Sequence, residues 1–404
     1  MPSRTRCLQP ADVRRFVDEL VFTPGWDAKV GIELEWVTRA PDEKLLDPSA
    51  IRDLLPDALP GGSSVTFEPG GQLELSGPPR HGIATACREM TADLDAVRRA
   101  LSPAGITLVA TGLDSLGPRA RVVDAPRYRA MERYFDTHWP EGRTMMCNTA
   151  SIQVNLDIGR DDEIEARWRL AHAVGPVLAA AFANSPRDAY GNPTGWRSTR
   201  LAVWHAIDPG RTNAAFSVDA DARSSWTRYV TDAPVMLIRA DDTTSAALDR
   251  PFAFGEWLHN GHELGWPTLD DLDYHLTTLF PPIRPRGWLE LRMIDALPDA
   301  WWPVAVAVAA TLLDDAEAAR CAAEATAHTH GCWVAAAHDG LSDPMLQHAA
   351  DRCFTAVLEA LPRLGTDAAT IASVAAFHDR YVARGRCPAD DLIHEWAEFR
   401  AATV

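Results

Sequence analysis

The sequence predicts an α+β fold, with helices around an antiparallel or mixed sheet. Three observations carry this expectation. Four short segments alternate apolar and polar residues with period two, the signature of strands with one buried face. Strand-like and helix-like stretches do not follow a βαβα rhythm. No GxGxxG or phosphate-loop motif follows a strand, which removes the doubly wound nucleotide folds.

The elements read in order as follows. Residues 10–20 place Val13, Phe16, Val17 and Leu20 at helical spacing. Residues 30–37 alternate as a strand, and 47–59 are capped as a short helix. Residues 65–76 read as a hairpin around Pro69-Gly70-Gly71, followed by a long helix over 83–101 and a strand over 106–111. A helix over 128–135, a strand over 149–158 and a helix over 163–182 come next, with a break at Ser185-Pro186. The stretch 192–212 reads as loop-rich, 233–239 as a strand and 269–279 as a helix. Pro281-Pro282 and Pro285 predict a stiff turn into a strand over 288–294, and an Ala-rich helical region of about four segments runs from 301. Residues 192–213 and 240–253 are candidate covers, from their Gly, Pro, Asp and Ser content.

At 404 residues the chain suits one large domain, with a catalytic sheet core at about 28–300 and a helical part at about 301–404. The charge of −17 leaves no basic excess for phosphate neutralisation, so nucleic-acid partners are not expected. The longest apolar run, 303–313, is too short to span a bilayer, and no apolar leader follows the polar N-terminus. Seven scattered cysteines without a CxxC pair fit a reducing cytoplasm.

The chemistry lies on the polar faces of the alternating segments. Glu33 and Glu35 share a face, Glu74 sits between Gln72 and Ser76, Gln153 lies beside Asn155 and Asp157, and Glu290 beside Arg292. Any one of these is an ordinary solvated strand face. Carboxylates and amides dominate all four, however, and lysine is absent from them. With Glu68 at the hairpin, that many carboxylates on neighbouring strands require neutralisation, and Mg²⁺ takes such oxygen ligands. Arg292 is either an ion-pair partner of these acids or a phosphate contact.

Gly31-Ile32-Glu33-x-Glu35, Phe67-Glu68-Pro69-Gly70-Gly71-Gln72-x-Glu74-x-Ser76, Gln153-Val154-Asn155-Leu156-Asp157 and Leu289-Glu290-x-Arg292 resemble the plant-type glutamate–cysteine ligases. The segments around Trp204-His205-Ala206-Ile207-Asp208-Pro209-Gly210-Arg211-Thr212 and Tyr274-His275-Leu276 resemble the actinobacterial branch, which serves ergothioneine biosynthesis. The resemblance implies a curved antiparallel sheet, a half-open funnel of glutamine-synthetase-like shape. It implies ATP-dependent joining of the glutamate γ-carboxylate to the cysteine amine through a γ-glutamyl phosphate. It implies two or three Mg²⁺ held by Glu33, Glu35, Glu68, Glu74 and Glu290, with Gln153 as a further ligand. Arg292 and Glu290 would act on the reacting groups, and Arg292 and Asn155 would contact ATP. Arg211, Arg200 and Tyr229 would hold substrate. Met145 and Met146, with Trp204 and Trp301, are candidate walls of the thiol pocket. Another ATP-dependent carboxylate–amine ligase, with a different amine acceptor, is the alternative reading.

Overall fold

The structure is a computed structural model and describes residues 6–42, 45–239, 245–248 and 250–403. The candidate cover at 240–253 therefore lies partly outside the described residues, at 240–244 and 249. Ten strands are seen among them: β1 (Lys29–Arg39), β2 (Ser64–Phe67), β3 (Leu73–Ser76), β4 (Arg80–His81), β5 (Thr107–Val109), β6 (Ser151–Asp157), β7 (Leu237–Arg239), β8 (Ser245–Ala247), β9 (Ile283–Pro285) and β10 (Trp288–Asp295). Eight form one antiparallel sheet in the order β2-β3-β1-β6-β10-β9, with β4 and β5 also paired to the long β1. The expected antiparallel sheet is thus the scaffold of the molecule. β7 and β8 form a separate ribbon, so the strand expected over 233–239 is shorter and lies off the main sheet.

Alternation places Ile32, Leu34, Leu73, Leu75, Val154, Leu156, Leu289 and Leu291 in the apolar core. Helices Ile83–Leu101, Ile164–Ala181 and Trp302–Asp314 pack on the sheet. Trp302–Asp314 is apolar around nearly its whole circumference because it lies between the sheet and further helices. One cluster of buried apolar side chains runs from Leu8 to Val382.

Several expectations need correction. The stretch read as loop-rich contains helix Thr199–Ala206, capped by the Ser198 hydroxyl on the Leu201 N–H, and the short helix Pro209–Thr212. Helices Gly142–Asn148, Ala222–Asp232 and Phe254–Asn260 were not anticipated; the first and last have no side-chain cap, whereas the Asp221 cap on the Ser224 N–H of the second was a usable signal. The proline-rich turn contains edge strand β9, where a missing N–H is tolerated. The C-terminal region holds six α-helices rather than four segments.

Two local devices position the polar face. The turn between β2 and β3 closes with Gly71 at φ +83°, and a Cβ on Gly70 would sit 2.2 Å from the Cys147 carbonyl oxygen. Glycine at 70 therefore lets helix Gly142–Asn148 press directly on the turn that carries Glu68. The second device is a β-bulge in β10. Leu291 faces Val154 and Ile294 faces Ile152, so one extra residue lies between them. Before the bulge the even residues Glu290 and Arg292 take the polar face. After it the odd residue Asp295 does, opposite Ser151.

Candidate active site

The other face of the sheet forms the floor of a cavity of about 220 Å³. Glu33 and Glu35 come from β1, Glu74 from β3, Ser151 and Gln153 from β6, Arg284 from β9, and Glu290 and Arg292 from β10. Glu68 enters from the β2–β3 turn, and Met145 and Met146 from helix Gly142–Asn148. Arg200 and Trp204 enter from helix Thr199–Ala206. Register explains the convergence: Glu35 faces Glu74, Glu33 faces Gln153, and Glu290 faces Arg284 across neighbouring strands.

The acids fall into two groups. Glu35, Glu68 and Glu74 each offer an oxygen within 4.8 Å of the others. Burial pushes Glu35 up to about 7, with the Glu74 charge adding to it. Burial, then Glu290 and Glu74, likewise hold Glu33 at about 7. Burial, then Glu74 and Glu35, raise Glu68 well above the usual carboxylate range. Glu35 accepts from the Ser151 N–H at 2.8 Å and from the Gln153 amide at 3.1 Å, and Glu74 from the Ser76 hydroxyl at 2.6 Å. These bonds fix the oxygens without supplying a cation. An oxygen-only cluster of this kind fits a hard divalent ion such as Mg²⁺.

Glu290 differs. Arg284 binds it in bidentate fashion at 2.7 and 2.9 Å, and Arg292 Nη1 donates to it at 2.5 Å. Burial pushes its carboxyl up, but Arg284 and Arg292 outweigh this and hold it at about 2. The expected ligand Glu290 is therefore in the cavity but already neutralised.

Other expected residues take different roles. Gln153 donates to Glu35 and accepts from Arg292 at 2.5 Å, so it bridges the two groups. Asn155 is not in the cavity lining; its amide donates to Glu33 at 3.0 Å and its oxygen accepts from the Trp288 indole at 3.0 Å. Asp157 caps the start of β1 through the Asp27 and Lys29 N–H groups. Arg211 is 0% exposed and lies outside the cavity. Its donors go to Asp208, the Thr278 carbonyl and hydroxyl, the Tyr134 hydroxyl and the Pro234 carbonyl. All five guanidinium donors are thereby used, which leaves none for a substrate carboxylate. Tyr229 stacks on Trp226 away from the cavity, and Trp301 packs on Phe377 and Tyr381.

Sequence reasoning missed Arg127, Arg284 and Arg286 among the lining residues. Arg284 had a usable signal: a hairpin through Arg286-Gly287 places it opposite Glu290. Arg127 donates to Thr277 at 2.6 Å across the cavity rim, a tertiary pairing with no local mark.

Clustered carboxylates on a sheet, closed by arginines, make a cavity whose groups suit a divalent cation beside an anionic phosphate. The profile of glutamate–cysteine ligase family 2 (GCS2) matches residues 29–400, and the chain belongs to that family. It is 44% identical over 376 residues to the glutamate–cysteine ligase EgtA of Mycolicibacterium smegmatis, covering 90% of this chain and 86% of that one. A chloroplastic glutamate–cysteine ligase B of Oryza sativa is 32% identical over 249 residues, 59% of this chain and 49% of that one. The fold is also similar to a bifunctional glutathione synthetase from Pasteurella multocida. That match has a TM-score of 0.52 at 15% identity and covers 96% of this chain and 52% of that one.

Proposed function

We propose that this chain joins the γ-carboxylate of glutamate to the amine of cysteine at the expense of ATP, in the cytoplasm and for ergothioneine biosynthesis. The supporting observation is the joining of the Glu35–Glu68–Glu74 cluster to the Glu290–Arg292 pair through Gln153 in one cavity. The 44% identity to a glutamate–cysteine ligase supports the choice of substrates.

A carboxylate resists attack by an amine until one oxygen becomes a leaving group. In the proposed route a γ-carboxylate oxygen of glutamate attacks the ATP γ-phosphorus and ADP departs. The cysteine amine then attacks the acyl carbon, the bond to the phosphate oxygen breaks, and phosphate leaves with the electron pair while the nitrogen loses a proton. Glu35, Glu68 and Glu74 would hold Mg²⁺, with Glu33 and Glu290 at the edge of the same site. Bound there, Mg²⁺ supplies neutralisation of the polyphosphate. Arg292 would contact the transferring phosphoryl group, and Gln153 holds its guanidinium toward the cluster. Arg127 and Arg286 also line the cavity and would serve the carboxylate of glutamate or the outer phosphates.

The test is ADP release with glutamate, Mg²⁺ and a panel of amino acids. Cysteine should give the highest kcat/KM. A stronger response to another amine would replace the acceptor and keep the ligase; no response to any amine would overturn the reading.

A further inference from the structure

The acids of the cavity are not held alike. Glu33 accepts from the Asn155 amide, Glu35 from the Ser151 N–H and the Gln153 amide, and Glu74 from the Thr66 and Ser76 hydroxyls. Glu290 is gripped by Arg284 and Arg292. No group among the described residues hydrogen-bonds the Glu68 carboxylate. Glu68 also sits on a turn, whereas the others sit on strands fixed by their ladders. Its oxygen nonetheless lies within 4.8 Å of those of Glu35 and Glu74. Its place therefore depends on the backbone that carries it.

That backbone is held at three successive carbonyls. The Val122 and Val123 N–H groups donate to the Pro69 carbonyl at 2.8 and 3.2 Å. Arg119 Nη1 donates to the Gly70 carbonyl at 3.4 Å, and the Thr38 hydroxyl to the Gly71 carbonyl at 3.0 Å. Connecting segments usually turn such groups to water. Here the donors come from residues 119–123, which lie across the turn, and from the end of β1.

Arg119 anchors this arrangement. Its side chain is 11% exposed. Nε meets Asp114 at 2.6 Å and Nη2 meets the Thr38 carbonyl at 2.8 Å. Thr38 is thus engaged twice, accepting from Arg119 and donating to the turn. The Arg119 N–H donates to the Asn148 amide oxygen at 3.0 Å, and the Asn148 amide donates to the Gly117 carbonyl at 2.9 Å. Asp114 is 2% exposed and also accepts from Arg39 at 2.8 Å. Burial pushes its carboxyl up, but Arg119 and Arg39 outweigh this and hold it below the usual range. It is the charged partner that aims the Arg119 guanidinium. Neither Arg119 nor Asp114 lines the cavity.

We propose that Arg119, aimed by Asp114, is a positioning residue for Glu68: it pins the β2–β3 turn to β1 and so sets one of the three cation-binding carboxylates without touching the cavity. The proposal rests on the ligase reading, in which Glu35, Glu68 and Glu74 hold Mg²⁺, and deepens it. Arginine is required because one planar fork meets a carboxylate and two carbonyls at once, which an ammonium group does not.

The experiment is calorimetric titration of the full-length chain with Mg²⁺, with a thermal melt for every variant. Arg119→Met should raise the Kd for Mg²⁺ about 10–100-fold, the range for groups that orient a ligand rather than supply one. Arg119→Lys keeps a charge for Asp114 but not the fork, and should still raise Kd about three- to tenfold. Thr38→Val removes only the hydroxyl bond to Gly71 and should raise Kd about two- to fivefold. In a Glu68→Gln background Arg119→Met should change Kd less than about twofold, because the carboxylate it acts through is gone. Lowered melts with an unmoved Kd would overturn the proposal and make Arg119 a brace of its own loop. A full effect of Arg119→Met in the Glu68→Gln background would also overturn it. If Arg119→Met does not fold, Arg119→Lys and Thr38→Val decide. A wild type that binds no Mg²⁺ would remove the cation reading, and this proposal with it.

Discussion

The two halves of the cavity floor use the same residue type in opposite ways. On the β1–β3 side burial and neighbouring acids push Glu33 and Glu35 up to about 7 and raise Glu68 well above the usual carboxylate range. On the β9–β10 side Glu290 is buried more deeply still, yet held at about 2 by Arg284 and Arg292. Burial alone does not set the charge of a carboxylate; its neighbours do. The first half bonds its carboxylates to amides, a backbone N–H and a hydroxyl, whereas the second pairs its carboxylate with two arginines. Gln153 ties the halves together by donating to one and accepting from the other.

The strongest test breaks the cation-seeking half. Glu35→Gln keeps the shape but removes a charge from the centre of the cluster. Turnover should fall at least about a thousandfold, with loss of Mg²⁺ binding in calorimetry while the far-ultraviolet spectrum persists. The matching change in the other half is Arg292→Ala. There kcat should fall about 10²–10³-fold while the KM for glutamate stays within a fewfold, because stabilisation of a transferring phosphoryl group acts mainly in the transition state. An unchanged kcat would show that Arg292 serves only to pair with Glu290.

A control lies outside both halves. Arg211→Met should cost about 3–5 kcal/mol of stability, because Asp208 loses its buried partner. The KM values of the fraction that folds should not move. A selective rise in a substrate KM would return Arg211 to the site.

The smallest effect is a shift in stability with pH. Folded Glu33 and Glu35 keep protons up to about 7, whereas unfolded carboxylates release them near 4.5. The stabilisation from these protons is complete below about pH 4.5 and is lost as pH rises through 7. His275, lowered to about 3 by burial and the Arg211 charge, works in the opposite sense: it gains stability as pH rises toward 6.5. Comparing melts with and without Mg²⁺ at each pH separates them. The rise in Tm on adding Mg²⁺ should grow from pH 5 to pH 8, and a constant rise would contradict the proton-for-metal exchange.

The alternation of Glu33, Glu35, Glu74, Gln153 and Glu290 was legible because a strand has period two and needs no tertiary knowledge. The bidentate Arg284–Glu290 pair was hidden in a segment read as a proline turn, since its meaning comes from the opposing strand. Arg211 was misread for the opposite reason. Its motif stood out locally, but its charge is used up by Asp208, Thr278, Tyr134 and Pro234, three of them far along the chain. Helix Thr199–Ala206 escaped notice between Gly- and Pro-rich flanks, and with it the link between Arg200 and Trp204. Cavity boundaries have no signature in a linear sequence.

The bulge in β10 acts as a counting device. Every inward residue before it is even-numbered, and Asp295 after it is odd. Deleting one residue between Leu291 and Ile294 would leave composition and hydropathy almost unchanged, yet put the downstream segment out of phase. Asp295 would lose its bonds to Asn184, Ser185 and Ser198, and Arg200 its bond to the Arg292 carbonyl. A one-residue deletion at that point is therefore a shift of phase for the strand rather than a neutral loop edit.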